Sequence, residues 1–188
     1  MSRDRSADPI HGLYNICYIN AFQAQPGTEA SRWWHDNHPD LLLRNGLGGL
    51  IVDEDWNEPL LDISTEVKRA QLAAVVNEWI DDCHAKGYQA VEPDNLDSYQ
   101  RSLGSLTASD SIAFASMLSE HAHAVGLAVA QKNTAELLAQ RDRSASSAPA
   151  MEPTHSATEA SSTVAVSFSR SQASLSFSRV RCGAVCRR

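Results

Sequence analysis

The chain has 188 residues, 43% of them apolar, which is enough for one sizeable core and excludes disorder throughout. Its net charge is −7, but five Arg and two Glu from Ser144 onward make that stretch +3 and leave −10 on the rest. An acidic body with three Lys excludes nucleic acid as a partner, and no run approaches the roughly 18 apolar residues that span a bilayer.

The opening MSRDRSADPIHG lacks the apolar segment of a secretory signal, so the chain as written is expected to be cytoplasmic. Four cysteines, at 17, 83, 182 and 186, show no metal or redox spacing. The plain reading is buried thiols; Cys17 and Cys83 could pair if the intact protein is exported.

In chain order, LYNICYINAF predicts a buried strand. SRWWHDNHPDLLLRNGLGG predicts a loop with a helical turn, and LIVDEDW and EPLLDI predict two short strands or one broken one. From Glu66 to Lys86 apolar residues recur at three and four, among them Val67, Val76, Trp79, Ile80 and Cys83, and Gly87 stops the helix. A strand follows in YQAVEPDNLDSY, where Pro93 excludes helix. Thr107 with Asp110 opens a second helix running to Gly126, LAVAQKN predicts another strand, and Thr134 is placed to cap a third helix, TAELLAQRDR. Strands alternating with helices imply βα units around a parallel sheet. After residue 143 the pattern gives way to low-complexity Ser/Ala/Arg-rich text, read as a disordered tail or as the product of a reading-frame error.

In a parallel sheet the loops after the strand C-termini form the functional face. Polar residues gather at those ends: Asn20 and Gln23; Asp53, Glu54 and Asp55; Glu92, Asp94, Asn95 and Asp97; Gln131, Lys132 and Asn133. A helix cap explains one polar residue at a strand end, as at Thr107 and Thr134, but not four ends in succession. Repelling acids on one rim imply a ligand or a shared proton. Strand alternation puts Glu92 and Asp94 on one side, and unequal carboxyls are what glycosidic cleavage needs. The two reacting carboxyls come from different strands, about 5 Å apart for retention and about 6.5–9.5 Å for inversion, so a second strand must contribute. Trp33, Trp34, His35 and Trp56 could form a wall for stacking sugars, with Tyr99 just beyond the acids, whereas Trp79 is read as core. No metal is expected, since His35 with His38, or the DED run, lacks a third ligand set by spacing.

Together YNICYINAFQAQP, HPDLLLR, DEDW with LLDI, AVEPDNLDSY and AQKNTAELL resemble glycoside hydrolase family 114, the endo-α-1,4-polygalactosaminidase-like TIM barrels, over roughly residues 2–142. The resemblance implies an α/β fold, a partial (β/α)8 barrel with about four parallel strands and their helices in 1–143, and a tail in 144–188. It implies hydrolysis of α-1,4-linked galactosamine polymers of exopolysaccharide, with no metal or organic cofactor and an amino-sugar oligomer as the partner. Asp94 matches the catalytic aspartate of the EPDN-type loop, with Glu92 and Asp97 beside it. Asn20, Asp53, Asp55, Gln131, Lys132 and Asn133 match pocket positions, and Trp34, Trp56, Asn95 and Tyr99 are substrate-binding candidates from their own chemistry and place beside the acids. Family members are mostly exported. They carry a strand ahead of SRDR and, after the AQKN unit, a strand with a glutamate that looks like the second catalytic carboxylate. Neither is matched here, so open sheet edges, instability and weak activity are expected. Two other readings stay open: a carbohydrate-binding remnant without catalysis, and a coding artefact that the two other reading frames after codon 143 would reveal.

Overall fold

The computed structural model describes residues 1–134, 137 and 165–167. Strand β1, Ser2–Asp4, pairs parallel with β2, Ile16–Asn20, and β2 pairs parallel with β5, Ala90–Asp94. Strand β5 in turn pairs parallel with β6, Ala128–Gln131. The sheet continues with β7, Ala165–Ser167, antiparallel to β6, in the order β1-β2-β5-β6-β7. Apart from β7, the tail from 144 lies outside the described residues, as does most of the expected third helix beyond Thr134. Among the described residues four parallel strands are present as expected, but β1, absent from the sequence reading, takes the place assigned to DEDW.

Alternation divides the sheet into two chemical faces. Cys17 and Ile19 of β2, Val91 of β5 and Val129 of β6 belong to the buried apolar cluster. Two helices cover that side. Helix α2, Glu66–Ala85, starts at Thr65, whose side chain accepts from Lys68 N, and buries Leu72, Ala73, Val76, Ile80 and Cys83. Val67, placed on its apolar stripe by spacing, is exposed instead, and Leu72 takes the inner position. Helix α3, Ala108–Ala124, begins with a full capping box between Thr107 and Asp110 and ends before Gly126, whose φ of 88° suits glycine alone. Its Phe114 meets Phe22 edge-on at 5.1 Å. Arg69 of α2 reaches Asp110 at 3.1 Å, so the cap of one helix is also its tie to the other.

A disulfide joins Cys17 of β2 to Cys83 of α2, which replaces the free-thiol reading of that pair. Burial alone favours a thiol; what allows the bond is that β2 and α2 bring two inward-facing cysteines into register across the core.

Two segments between β2 and α2 differ from expectation. Helix α1, Thr28–Asn37, is a full helix rather than a turn, since Trp34 sinks into the core at 3% exposure and packs edge-on against Trp79 at 5.8 Å. Tertiary packing supplies what its polar sequence lacks. DEDW is not a strand tip of the parallel sheet but the bend of an antiparallel hairpin, β3 Val52–Asp53 with β4 Glu58–Pro59. Asn57, at φ 55°, supplies the left-handed residue that closes it.

Candidate active site

The polar face of the sheet carries a row of groups set by register. Tyr18 lies opposite Glu92, and Asn20 opposite Asp94. Asp94 is 6% exposed and sits at the tip of β5. Its Oδ2 accepts from the Tyr18 hydroxyl at 2.8 Å and pairs with Lys132 Nζ at 3.1 Å. Its Oδ1 accepts from Asn95 N at 2.8 Å and Asn133 Nδ2 at 3.3 Å. Two of these donors depend on left-handed backbone just past a strand end, at Asn95 (φ 66°), the residue after β5, and Asn133 (φ 65°), two residues after β6, a conformation asparagine tolerates well. Glu92 points to the same side, since Lys132 also lies 4.0 Å from its Oε1 and Ser2 Oγ donates to its Oε2 at 2.7 Å.

The hairpin adds a further carboxyl. Glu58 of β4 is buried and accepts from Asn20 Nδ2 at 2.9 Å and Asn95 Nδ2 at 3.4 Å; Asn95 also donates to Asn20 Oδ1 at 2.9 Å. Asn95 therefore touches both Asp94 and Glu58. Burial raises the Glu58 pKa, and the charges of Asp53 and Asp94 add to that, against the opposing Asn20 hydrogen bond. Burial also pushes the Tyr18 hydroxyl far above its ordinary value, with the bond to Asp94 next in effect. Tyr18 thus remains a donor. The Lys132 ammonium lies 4.8 Å from the centre of the Tyr18 ring, a cation–π contact that fixes both side chains beside Asp94.

Arg101 holds the hairpin down. Its Nε lies 2.6 Å from Oδ2 of Asp53, and its Nη atoms grip Asp97 in a bidentate pair at 3.0 and 2.8 Å. Gln23 Nε2 donates to Asp53 at 3.1 Å.

The residues read from sequence thus fall into three groups. Asp94, Glu92, Asn20, Asn95, Lys132 and Asn133 come together around the strand tips. Asp53 and Asp97 are engaged by Arg101, with Asp55 exposed and its N–H donating to Asp53. Gln131 donates to the Asn133 and Thr134 carbonyls and shapes the turn after β6. Trp34 is packed into the core, Trp56 is 69% exposed on the hairpin bend, and Tyr99 is half-buried against the core. Sequence reasoning missed Tyr18, Glu58, Arg101 and Ser2. Alternation through LYNICYIN signals Tyr18, which shares a face with Asn20. Glu58 carries a weaker signal, a second Glu-Pro pair beside Glu92-Pro93. Among the described residues no group of three or more His, Cys, Asp or Glu side chains is placed to hold a metal, and no helix is long and apolar enough to cross a membrane.

The family model for Glycoside-hydrolase family GH114 matches residues 3–170. The chain belongs to family GH114. Among solved structures this GH114 chain resembles Ega3 of Aspergillus fumigatus, crystallised in complex with galactosamine, with 26% identity and a TM-score of 0.55 over 70% of this chain and 48% of that one. It also resembles the glycoside hydrolase domain of PelA from Pseudomonas aeruginosa, in the E218A variant, at 18% identity and a TM-score of 0.49 over 69% and 47%. The chain spans about half the length of these solved relatives. No curated protein matches it.

Proposed function

We propose that this GH114 chain acts on α-1,4-linked galactosamine polymers as a glycoside hydrolase, with Asp94 as its reacting carboxylate. The observation that carries the reading is the placement of Asp94 at a strand tip, on the polar face, with four donors converging on its two oxygens. Such a carboxylate is oriented to attack or stabilise an anomeric carbon as the bond to the leaving oxygen breaks. The relative Ega3 binds galactosamine. At neutral pH that sugar is a cation, and the strand tips, where Glu92 and Asp94 face the one ammonium of Lys132, suit it.

The family resemblance assigns the second reacting carboxyl to a later strand. Within the described residues Glu58 shares a neighbour, Asn95, with Asp94, burial raises its pKa, and Lys132 balances Asp94. The Cys17–Cys83 bond supports export to an oxidising compartment over the cytoplasm.

The test is release of new reducing ends from a de-N-acetylated α-1,4-galactosamine polymer. The wild-type chain is expected to release them, and Asp94→Asn to lower the rate about 10³-fold. Equal rates from the two proteins would remove Asp94 from the reaction. Binding without any release in the wild type would leave a carbohydrate-binding protein, in which Asp94→Asn weakens affinity alone.

A further inference from the structure

Asn95 follows Asp94 in the chain, is half-buried, and is tied to four parts of the fold at once. Its side-chain amide donates to Asn20 Oδ1 at 2.9 Å and to Glu58 Oε2 at 3.4 Å, and Asn20 Nδ2 donates to the same Glu58 oxygen at 2.9 Å. Three side chains thus close a triangle between the end of β2, the hairpin strand β4 and the residue after β5. The backbone N–H of Asn95 donates to Asp94 Oδ1 at 2.8 Å, and its carbonyl accepts from Ser98 N at 2.9 Å and Ser98 Oγ at 2.6 Å. With both amide hydrogens taken inside the protein, Asn95 has no side-chain donor left for a sugar. Its place beside the acids suggested substrate binding; its contacts describe a brace.

The triangle has a mechanical consequence. A shift of the hairpin drags the Asn95 amide with it, and the same residue carries the N–H that aims Asp94 Oδ1. The left-handed φ of 66° lets one residue face both ways. Ser98 secures the other side. It is 1% exposed and accepts from Gln23 Nε2 at 3.3 Å, so it is buried away from any sugar and still bears on Asn95. Alignment of a reacting group governs rate steeply, a displacement of about 1 Å costing as much as about 10²-fold.

Resting on the glycosidase reading above, we propose that Asn95 is a positioning residue for the reaction at Asp94. Its amide locks Glu58 and Asn20 to the tip of β5, and its backbone N–H carries that placement to the carboxylate. Asn95 therefore acts on turnover through its neighbours rather than on affinity through the sugar.

The test is steady-state reducing-end release from the de-N-acetylated α-1,4-galactosamine polymer by the full chain, with kcat and KM separated. Asn95→Gly accepts the left-handed backbone without strain and keeps the N–H to Asp94, so only the amide is lost. It is expected to lower kcat about tenfold with KM within about twofold of wild type. Glu58→Met keeps the chain length of Glu58 but removes the acceptor, and is also expected to cost about tenfold. Because the two groups act as one brace, the double variant should lose about tenfold, not the roughly hundredfold of independent sites. Ser98→Ala, a buried change with no route to substrate, is expected to lower kcat about threefold at unchanged KM. A loss confined to KM in Asn95→Gly, or losses that multiply in the double variant, would overturn the positioning role while leaving the reading at Asp94 intact. A wild-type chain that releases no reducing ends would sink both.

Discussion

Two parts of the site hold carboxyls in opposite ways. The strand rim presents Asp94 on β5, and its donors come from the neighbouring strand β2, the strand's own next residue and the turn after β6. The hairpin presents Glu58 from β4, among neutral amides and other acids, where burial raises its pKa. One carboxyl is matched to a cation; the other is held by neutral amides. Their anchors differ as well. The rim is tied to the core through β2 and the Cys17–Cys83 bond, whereas the Asp53 end of the hairpin is tied by the charge of Arg101 and the amide of Gln23. Environment, not residue type, separates two acids that share Asn95 as a neighbour.

The contrast breaks first on activity. Asp94→Asn is expected to cost about 10³-fold in reducing-end release, and Glu58→Gln, which still offers a hydrogen bond, about tenfold or less. Equal losses would mean that the two carboxyls act alike. On stability the covalent anchor is expected to matter most. Cys83→Ser opens a link spanning 66 residues and should lower unfolding free energy by about 2–4 kcal/mol in a denaturant titration, with reductant producing the same loss in the wild type only.

The ionic anchor should cost less. Arg101→Met strands Asp53, which is 1% exposed, but Arg101 itself is 28% exposed, so the expected loss is about 2 kcal/mol rather than the larger penalty of a fully buried pair. Added salt should erode the wild-type margin over this variant, because a partly exposed pair is screened. An Arg101→Met chain as stable as wild type at low salt would dissolve the distinction between the anchors.

The smallest effect sharpens the Glu58 side. Its folded-state pKa is raised, so the folded chain binds more protons there than the unfolded one, and stability falls as pH rises from the ordinary carboxyl range through the raised value. Glu58→Gln should therefore melt higher than wild type at neutral pH, with the difference closing in acid. The same gap at all pH values would mean that Glu58 titrates as in the unfolded chain.

Much of the strand rim was legible because it rests on short-range rules. Period-two alternation placed Glu92 and Asp94 on one side, and capping residues and glycines bounded α2 and α3. The hairpin was not legible for the corresponding reason. Asp53 and Asp55 read as a strand end, since nothing local distinguishes a two-residue hairpin strand from a barrel strand, and the partners of Asp53 lie at Gln23 and Arg101. Glu58 became a site residue only when Asn20 and Asn95 closed on it. Strand β1 was missed because SRD is polar, and an edge strand read without its neighbour has no apolar signal. Trp34 looked free to stack on sugar because its burial depends on Trp79, far along the chain.

The most direct test is a crystal structure of the Asp94→Asn chain with a galactosamine oligomer bound. A glycosidic linkage lying over residue 94, within reach of Lys132 and Glu58, is the predicted result. An oligomer seated away from the tip of β5, with residue 94 touching no sugar atom, would contradict the account.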